Sequence, residues 1–229
     1  MTGEQQRGCL QGETGLDGQC AAGQSEFMSA TCKPGPQRLP PLILASASPR
    51  RQELLRELGV EFVVVPSSAK EIHRTQMTGG ELAQINACRK ARSIAVKHRT
   101  ELVLGADTLV CLGTEILGKP ASQAEAFGML QRLQGATHQV VTAVCLLQLR
   151  PHRHRRFVDT TDVTFRKLKE VEIKRYLKAI NPLDKAGGYA IQEHGDWIVE
   201  RIGGSYSNVV GLPLECLGAV LREWPAATR

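Results

Sequence analysis

The short apolar run Leu42-Ile43-Leu44 leads into Ala45-Ser46-Ala47-Ser48-Pro49-Arg50-Arg51, a serine turn followed by a helix start that carries two arginines. Ser48 suits the N-cap and Pro49 the first helical position, which sets Arg50 and Arg51 on the positive end of the helix dipole. Each misplaced charge costs about 0.3–1 kcal/mol, and an anion held in the turn offsets that cost. The segment therefore reads as an anion site, with a pair of solvated arginines as the plainer alternative.

Asp107 breaks a second apolar run, Leu102-Val103-Leu104-Gly105-Ala106 on one side and Leu109-Val110-Cys111-Leu112 on the other. A carboxylate in such a place must be protonated, paired with a cation, or held at the mouth of a cleft. The chemistry on offer is that of a metal ligand or general base at the end of a central strand, where open α/β sheets hold ligands; a structural ion pair is the alternative. Lys119 precedes Pro120, which holds it extended, and Lys90 stands among small and apolar residues between Ala87 and Ala95. Taken singly, each reads as a solvated lysine. Glycine loops at 184–192 and 203–208 either bring backbone close to a ligand or simply turn the chain. The sequence holds no P-loop, dinucleotide, serine-hydrolase or zinc-protease motif. Basic side chains for phosphates and carboxylates for a divalent ion remain, a combination suited to phosphoanhydride hydrolysis.

The elements that must position these groups follow from periodicity. Helices are predicted over Pro49–Leu58, Leu82–His98, Ala126–Gln134, Glu170–Ile180 and Leu212–Leu221. The second and third are preceded by the capping boxes Thr78-Gly79-Gly80-Glu81 and Ser122-Gln123-Ala124-Glu125. Strands are predicted over Val60–Val65, Leu102–Leu112 and Trp197–Ile202, and Val140–Leu149 with Phe157–Phe165 reads as an antiparallel pair. The basic cluster Arg150–Arg156 is then a hairpin loop. Early alternation and late pairing predict an α/β protein with a mixed sheet and helices packed on it.

The 229 residues, 42% hydrophobic and 4% aromatic, suit one globular domain or two closely joined lobes. Residues 1–40, rich in Gly, Gln and Thr, read as a disordered leader in which Met28 is a candidate later start, with a core domain over 41–224 and a tail at 225–229. Seven scattered cysteines, odd in number and never spaced C-x-x-C, point to a reducing compartment, and no window is apolar enough for a membrane span. A cytoplasmic protein without a membrane partner is expected. The formal charge of +6 favours an acidic partner, but too few aromatics are present for a base-stacking platform, so nucleic acid is not the expected one.

Six blocks in order carry a family resemblance: Ser46-Ala47-Ser48-Pro49-Arg50-Arg51, Gly105-Ala106-Asp107-Thr108, Gly118-Lys119-Pro120, Asp184-Lys185-Ala186-Gly187-Gly188-Tyr189, Ile191-Gln192 and Val209-Val210-Gly211-Leu212-Pro213-Leu214. From about Leu42 to Leu221 the chain resembles the Maf (septum-formation inhibitor-like) nucleoside triphosphate pyrophosphatases. The resemblance implies a two-lobed mixed sheet with flanking helices around a central cleft, similar to the inosine triphosphate pyrophosphatases, often as a homodimer. It implies release of pyrophosphate from a nucleoside triphosphate, with Mg2+ or Mn2+ as the divalent cation.

Carried over by position, the resemblance makes Asp107 the proton acceptor and ties Arg50, Thr108 and Gln192 to substrate choice. It places Ser46, Arg51, Lys90 and Lys119 on the phosphates, and Glu71 with Asp107 at the cation. Pro49-Arg50-Arg51 with Ala106-Asp107-Thr108 resembles the branch that acts on dTTP and UTP and not the one that acts on 7-methyl-GTP. Lys70 and Arg89 add positive charge where relatives often do not, which implies weaker metal affinity and stronger attraction for a triphosphate. Glu193 and His194 stand where relatives are often smaller, beside Gln192, which the resemblance ties to substrate choice. Two rival classes are a nucleotide-binding regulator of division or stress that needs no turnover, and a nucleic-acid binder using residues 150–156.

Overall fold

Period-two apolar sequence builds a mixed sheet, and amphipathic segments cover both its faces, in a computed structural model that describes residues 39–72 and 76–225. The strands are β1 (Leu42–Leu44), β2 (Phe62–Val64), β3 (Leu102–Leu112), β4 (Glu115–Leu117), β5 (Thr137–Gln148), β6 (Arg153–Phe165) and β7 (Val199–Gly203). The helices are α1 (Pro49–Glu57), α2 (Gly79–Ala95), α3 (Gln123–Leu133), α4 (Glu170–Ala179), α5 (Gly195–Ile198), α6 (Tyr206–Val210) and α7 (Leu214–Arg222). Strand order is β2-β1-β3-β5-β6-β7, with β4 on the edge of β3. β1 runs parallel to β2 and β3, and the other pairs are antiparallel. The leader expected over 1–40 lies, but for its last two residues, outside the described residues, as does the tail beyond Pro225.

Alternation along β3 divides the core. Leu102, Leu104 and Ala106 face α1 and α7, packing with Leu54, Leu55, Leu217 and Leu221. Val103, Leu109 and Cys111 face α2, packing with Leu82, Ala83, Ala87, Ala91 and Ile94. A third apolar group lies at the other end of the sheet, where Leu130 and Leu133 of α3 and Ile173, Tyr176 and Leu177 of α4 meet Val163 and Phe165. The cleft opens between these cores, in agreement with the expected architecture. Small residues on α2 let it lie unusually close to β3. A Cβ added at Gly105 would collide with the Ala87 carbonyl and stand 2.7 Å from the Ala91 amide nitrogen.

Five local expectations are corrected. Arg153–Arg156 are not in a loop: β6 pairs with β5 up to Gln148↔Arg153, and the charges fit because this end of the strand is largely solvent-exposed. Trp197 and Ile198 end the one-turn helix α5, which follows His194 in a left-handed conformation (φ 56°), so β7 begins only at Val199. The last helix starts at Leu214 because Pro213 is its N-cap, and the end of the glycine loop expected over 203–208 is helical, forming α6 together with Val209 and Val210. Ser122 caps α3, but Glu125 bonds the Ala121 amide and not that of Ser122, whereas the Thr78–Glu81 box on α2 is complete. Among the described residues, Cys88, Cys111, Cys145 and Cys216 are free, and no helix is long and apolar enough to cross a membrane.

Candidate active site

The site begins where the sheet is interrupted. β1 pairs with β3 only as far as Leu104, and β4 begins to pair at Val110, so Gly105–Leu109 has one open edge. The Leu104 carbonyl accepts from Ala45 N at 2.8 Å and Leu102 N donates to the Pro41 carbonyl at 2.9 Å, so even-numbered residues turn their backbone groups toward that edge. Ala106 and Thr108 therefore direct theirs into the gap. A cleft of about 870 Å3 fills this region, and its wall includes Ser46, Arg50, Arg51, Glu71, Lys90, Asp107, Thr108, Lys119 and Gln192. Strand parity sends Asp107 to the α2 side and Thr108 to the α1 side, at the mouth of the same cleft.

On the α1 side, Arg51 is half-buried and held by three protein acceptors. Its Nε donates to the Gly211 carbonyl at 2.9 Å, Nη2 to Thr108 Oγ1 at 2.9 Å and Nη1 to Ser46 Oγ at 3.3 Å. Burial lowers its guanidinium pKa, while the charge of Asp107 works the other way. Ser48 occupies the N-cap of α1 but its side chain caps nothing; its amide instead donates to Ser46 Oγ at 3.2 Å. Arg50 reaches across the mouth to Asp184, with Nη1–Oδ2 at 3.2 Å. Asp184 is also bound by the buried Lys185 at 2.9 Å, and Lys185 meets Glu193 at 3.2 Å. Two cations pull the Asp184 carboxyl below its ordinary pKa against the upward push of burial.

On the α2 side, Asp107 is only 4% exposed and is compensated by a chain of partners. Lys90 Nζ lies 2.6 Å from Asp107 Oδ1 and 2.7 Å from Glu71 Oε1, and Lys119 Nζ lies 3.7 Å from the same Glu71 oxygen. Asn86 Nδ2 donates to Asp107 Oδ2 at 3.3 Å, while its side chain exchanges two hydrogen bonds with the backbone of Ile72. Asn86 thus ties the Glu71 segment to the strand that carries Asp107. Sequence reasoning missed Asn86, although it lies one helical turn before Lys90 on α2, a spacing that was there to be used. It also missed Thr142 and Asn208, whose approach to Thr108 needs the β3–β5 register and the placement of α6.

Burial works to raise the Glu71 carboxyl pKa, but the hydrogen bond and charge of Lys90, with Lys119 and Arg51, hold it below its ordinary 4.5. The folded protein therefore binds this proton less readily than the unfolded chain does. The pairing adds stability above the ordinary carboxylate range and surrenders it as the pH falls through the depressed value. Urea midpoints measured from about pH 6 down to about pH 3 will fall more steeply for the wild type than for Glu71→Gln. Equal slopes would remove Glu71 as a source of acid sensitivity.

The comparison with known families settles the lineage. The model for Maf-like proteins matches residues 41–224. The chain belongs to the Maf family. Relatives of this Maf protein include the dTTP/UTP pyrophosphatase of Akkermansia muciniphila, 41% identical over 186 residues, which cover 80% of this chain and 97% of that one. The dTTP/UTP pyrophosphatases of Syntrophus aciditrophicus and Deinococcus radiodurans are each 45% identical, over 82% and 80% of this chain and 91% and 92% of their own. Among solved structures, the Staphylococcus aureus Ham1 protein aligns with 80% of the chain and 98% of its own at 14% identity and a TM-score of 0.46.

Proposed function

We propose that this Maf protein is a nucleoside triphosphate pyrophosphatase that hydrolyses dTTP and UTP to the monophosphate and pyrophosphate. One observation carries the reading: the Asp107 carboxylate and the Arg50-Arg51 turn share one cleft, whose volume of about 870 Å3 suits a nucleotide. The relatives' names supply the substrate class.

Water attacks the α-phosphorus, the bond from that phosphorus to the bridging oxygen of the β-phosphate breaks, and pyrophosphate leaves. The proton of the attacking water passes to Asp107. Each oxygen of that carboxylate already accepts one hydrogen bond, from Lys90 and from Asn86, and each keeps a further lone pair for water. Arg50, Arg51, Lys119 and Ser46 hold the phosphates, with the two arginines suited to paired oxygen atoms. Lys90 offsets the charge of Asp107 and Glu71, which would otherwise repel a triphosphate.

Asp107 and Glu71 are hard oxygen donors brought within reach of a single ammonium group, and these two carboxylates would hold Mg2+ or Mn2+. Such an ion supplies charge neutralisation on the phosphates and a more acidic water. Among the described residues, no group of three or more His, Cys, Asp or Glu is gathered to hold a metal ion. The proposal also retains a homodimer in the cytoplasm, the former open to analytical sedimentation.

The deciding experiment incubates the purified protein with dTTP and Mg2+ and identifies both products. Formation of dTMP and pyrophosphate is expected; dTDP with orthophosphate would assign the wrong bond and overturn the reading.

A further inference from the structure

The hydroxyl of Thr108 has one proton and two lone pairs, and its neighbours account for all but one of these. Thr142, its partner across the β3–β5 ladder, donates its only hydroxyl proton to the Asn208 carbonyl at 2.9 Å. The 3.0 Å contact between the two threonine oxygens is then a donation from Thr108 to Thr142. Arg51 Nη2, which can only donate, takes one lone pair of Thr108 at 2.9 Å. What Thr108 can offer a molecule in the cleft is a single remaining lone pair.

The direction of this relay is built in. Asn208 is fully buried, and its Nδ2 donates to the Val140 carbonyl at 3.0 Å and to Thr161 Oγ1 at 2.9 Å. Its backbone carbonyl has no proton to return, so Thr142 cannot turn round while that bond stands.

We propose that Thr142 and Asn208 are positioning residues that fix Thr108 as a hydrogen-bond acceptor for the imide N–H of thymine or uracil and so disfavour cytosine. The inference rests on the dTTP/UTP reading above. dTTP and UTP differ at the base methyl and at the sugar and share the imide. The corresponding ring nitrogen of cytosine is itself an acceptor, so it would meet the Thr108 oxygen lone pair to lone pair. A sugar hydroxyl both donates and accepts and needs no fixed direction.

Thr142→Val keeps the shape of the side chain, removes the acceptor of the Thr108 proton and frees that hydroxyl to turn and donate. The ratio of kcat/KM for dTTP over dCTP will fall about tenfold or more, while Thr142→Ser, which restores the hydroxyl, will keep the wild-type ratio. A folded, active Thr142→Val enzyme with an unchanged ratio overturns the proposal. Should that variant not fold, Thr108→Val supplies the same test by deleting the acceptor, and an unchanged ratio overturns the proposal again. A change in dTTP relative to its 2′,3′-dideoxy analogue, with dTTP over dCTP unaltered, gives the lone pair to the sugar and also overturns it. Wild-type protein that hydrolyses neither dTTP nor UTP defeats the proposed function instead, whereas wild-type hydrolysis of dTTP and dCTP alike defeats this inference alone.

Discussion

Asp107→Asn will lower kcat for dTTP by about 10²–10⁴-fold, the range over which removal of a general base is felt, while nucleotide binding persists. The substitution preserves shape and removes the ability to take a proton from water. Lys90 retains Glu71 at 2.7 Å, so its ammonium is not left unpaired. Some stability will be lost as well. Asn86 Nδ2 donates to Asp107 Oδ2 at 3.3 Å while its Oδ1 is engaged by the Ile72 amide, so an amide nitrogen at that position of residue 107 would face another donor. A conflict of this kind costs about 1–3 kcal/mol. Unfolding must therefore be followed beside turnover, at a temperature where both proteins are folded. Turnover within tenfold of wild type would remove Asp107 from the chemistry.

Gly105→Ala will unfold the protein more easily, by about 3 kcal/mol or more, and will depress turnover in whatever fraction stays folded. The new methyl would press on the Ala87 carbonyl and the Ala91 amide, both backbone groups of α2, which cannot rotate away as a flexible side-chain end would. Relief requires the helix to move off β3, and Lys90 moves with it, away from its 2.6 Å contact with Asp107. Gly128→Ala is the matched control. Gly128 lies inside α3 with nothing within 4 Å of an added Cβ, so the same change there should stabilise by about 0.5–1 kcal/mol through helix propensity. Urea unfolding of the two variants separates them by sign. A Gly105→Ala protein as stable as wild type would show that α2 is less firmly seated than its contacts imply.

Asp107 was legible because a charged residue inside an apolar run must be compensated, and the arginine turn because it opposes the dipole of its own helix. Both are local violations that any window of sequence displays. The compensation for Asp107 was not legible in that way: Lys90 and Asn86 reach it from a separate helix, and only the seating of α2 on Gly105 shows that they meet. Thr142 and Asn208 stayed hidden for the same reason, as ordinary polar residues until strand register puts one opposite Thr108 and α6 delivers the other. The basic residues Arg153–Arg156 misled in the opposite sense. Charge on an exposed strand end has the composition of a loop, and its partner strand, not its own sequence, decides the matter.

The open edge of β3 has a mechanical consequence. Between Leu104 and Val110 strand β3 lacks a neighbour on one side, so at that level the sheet is carried across the cleft only by the β3–β5 and β5–β6 ladders. Any change in the width of the gap would have to be borne by these ladders, and the Arg50–Asp184 bridge spans the gap like a clasp. A nucleotide that engages both rims would act as a splint, and slowed hydrogen exchange at the Ala106 and Thr108 amides on binding a non-hydrolysable analogue would register the stiffening. Unaltered exchange there would mean that the frame is rigid before any ligand arrives.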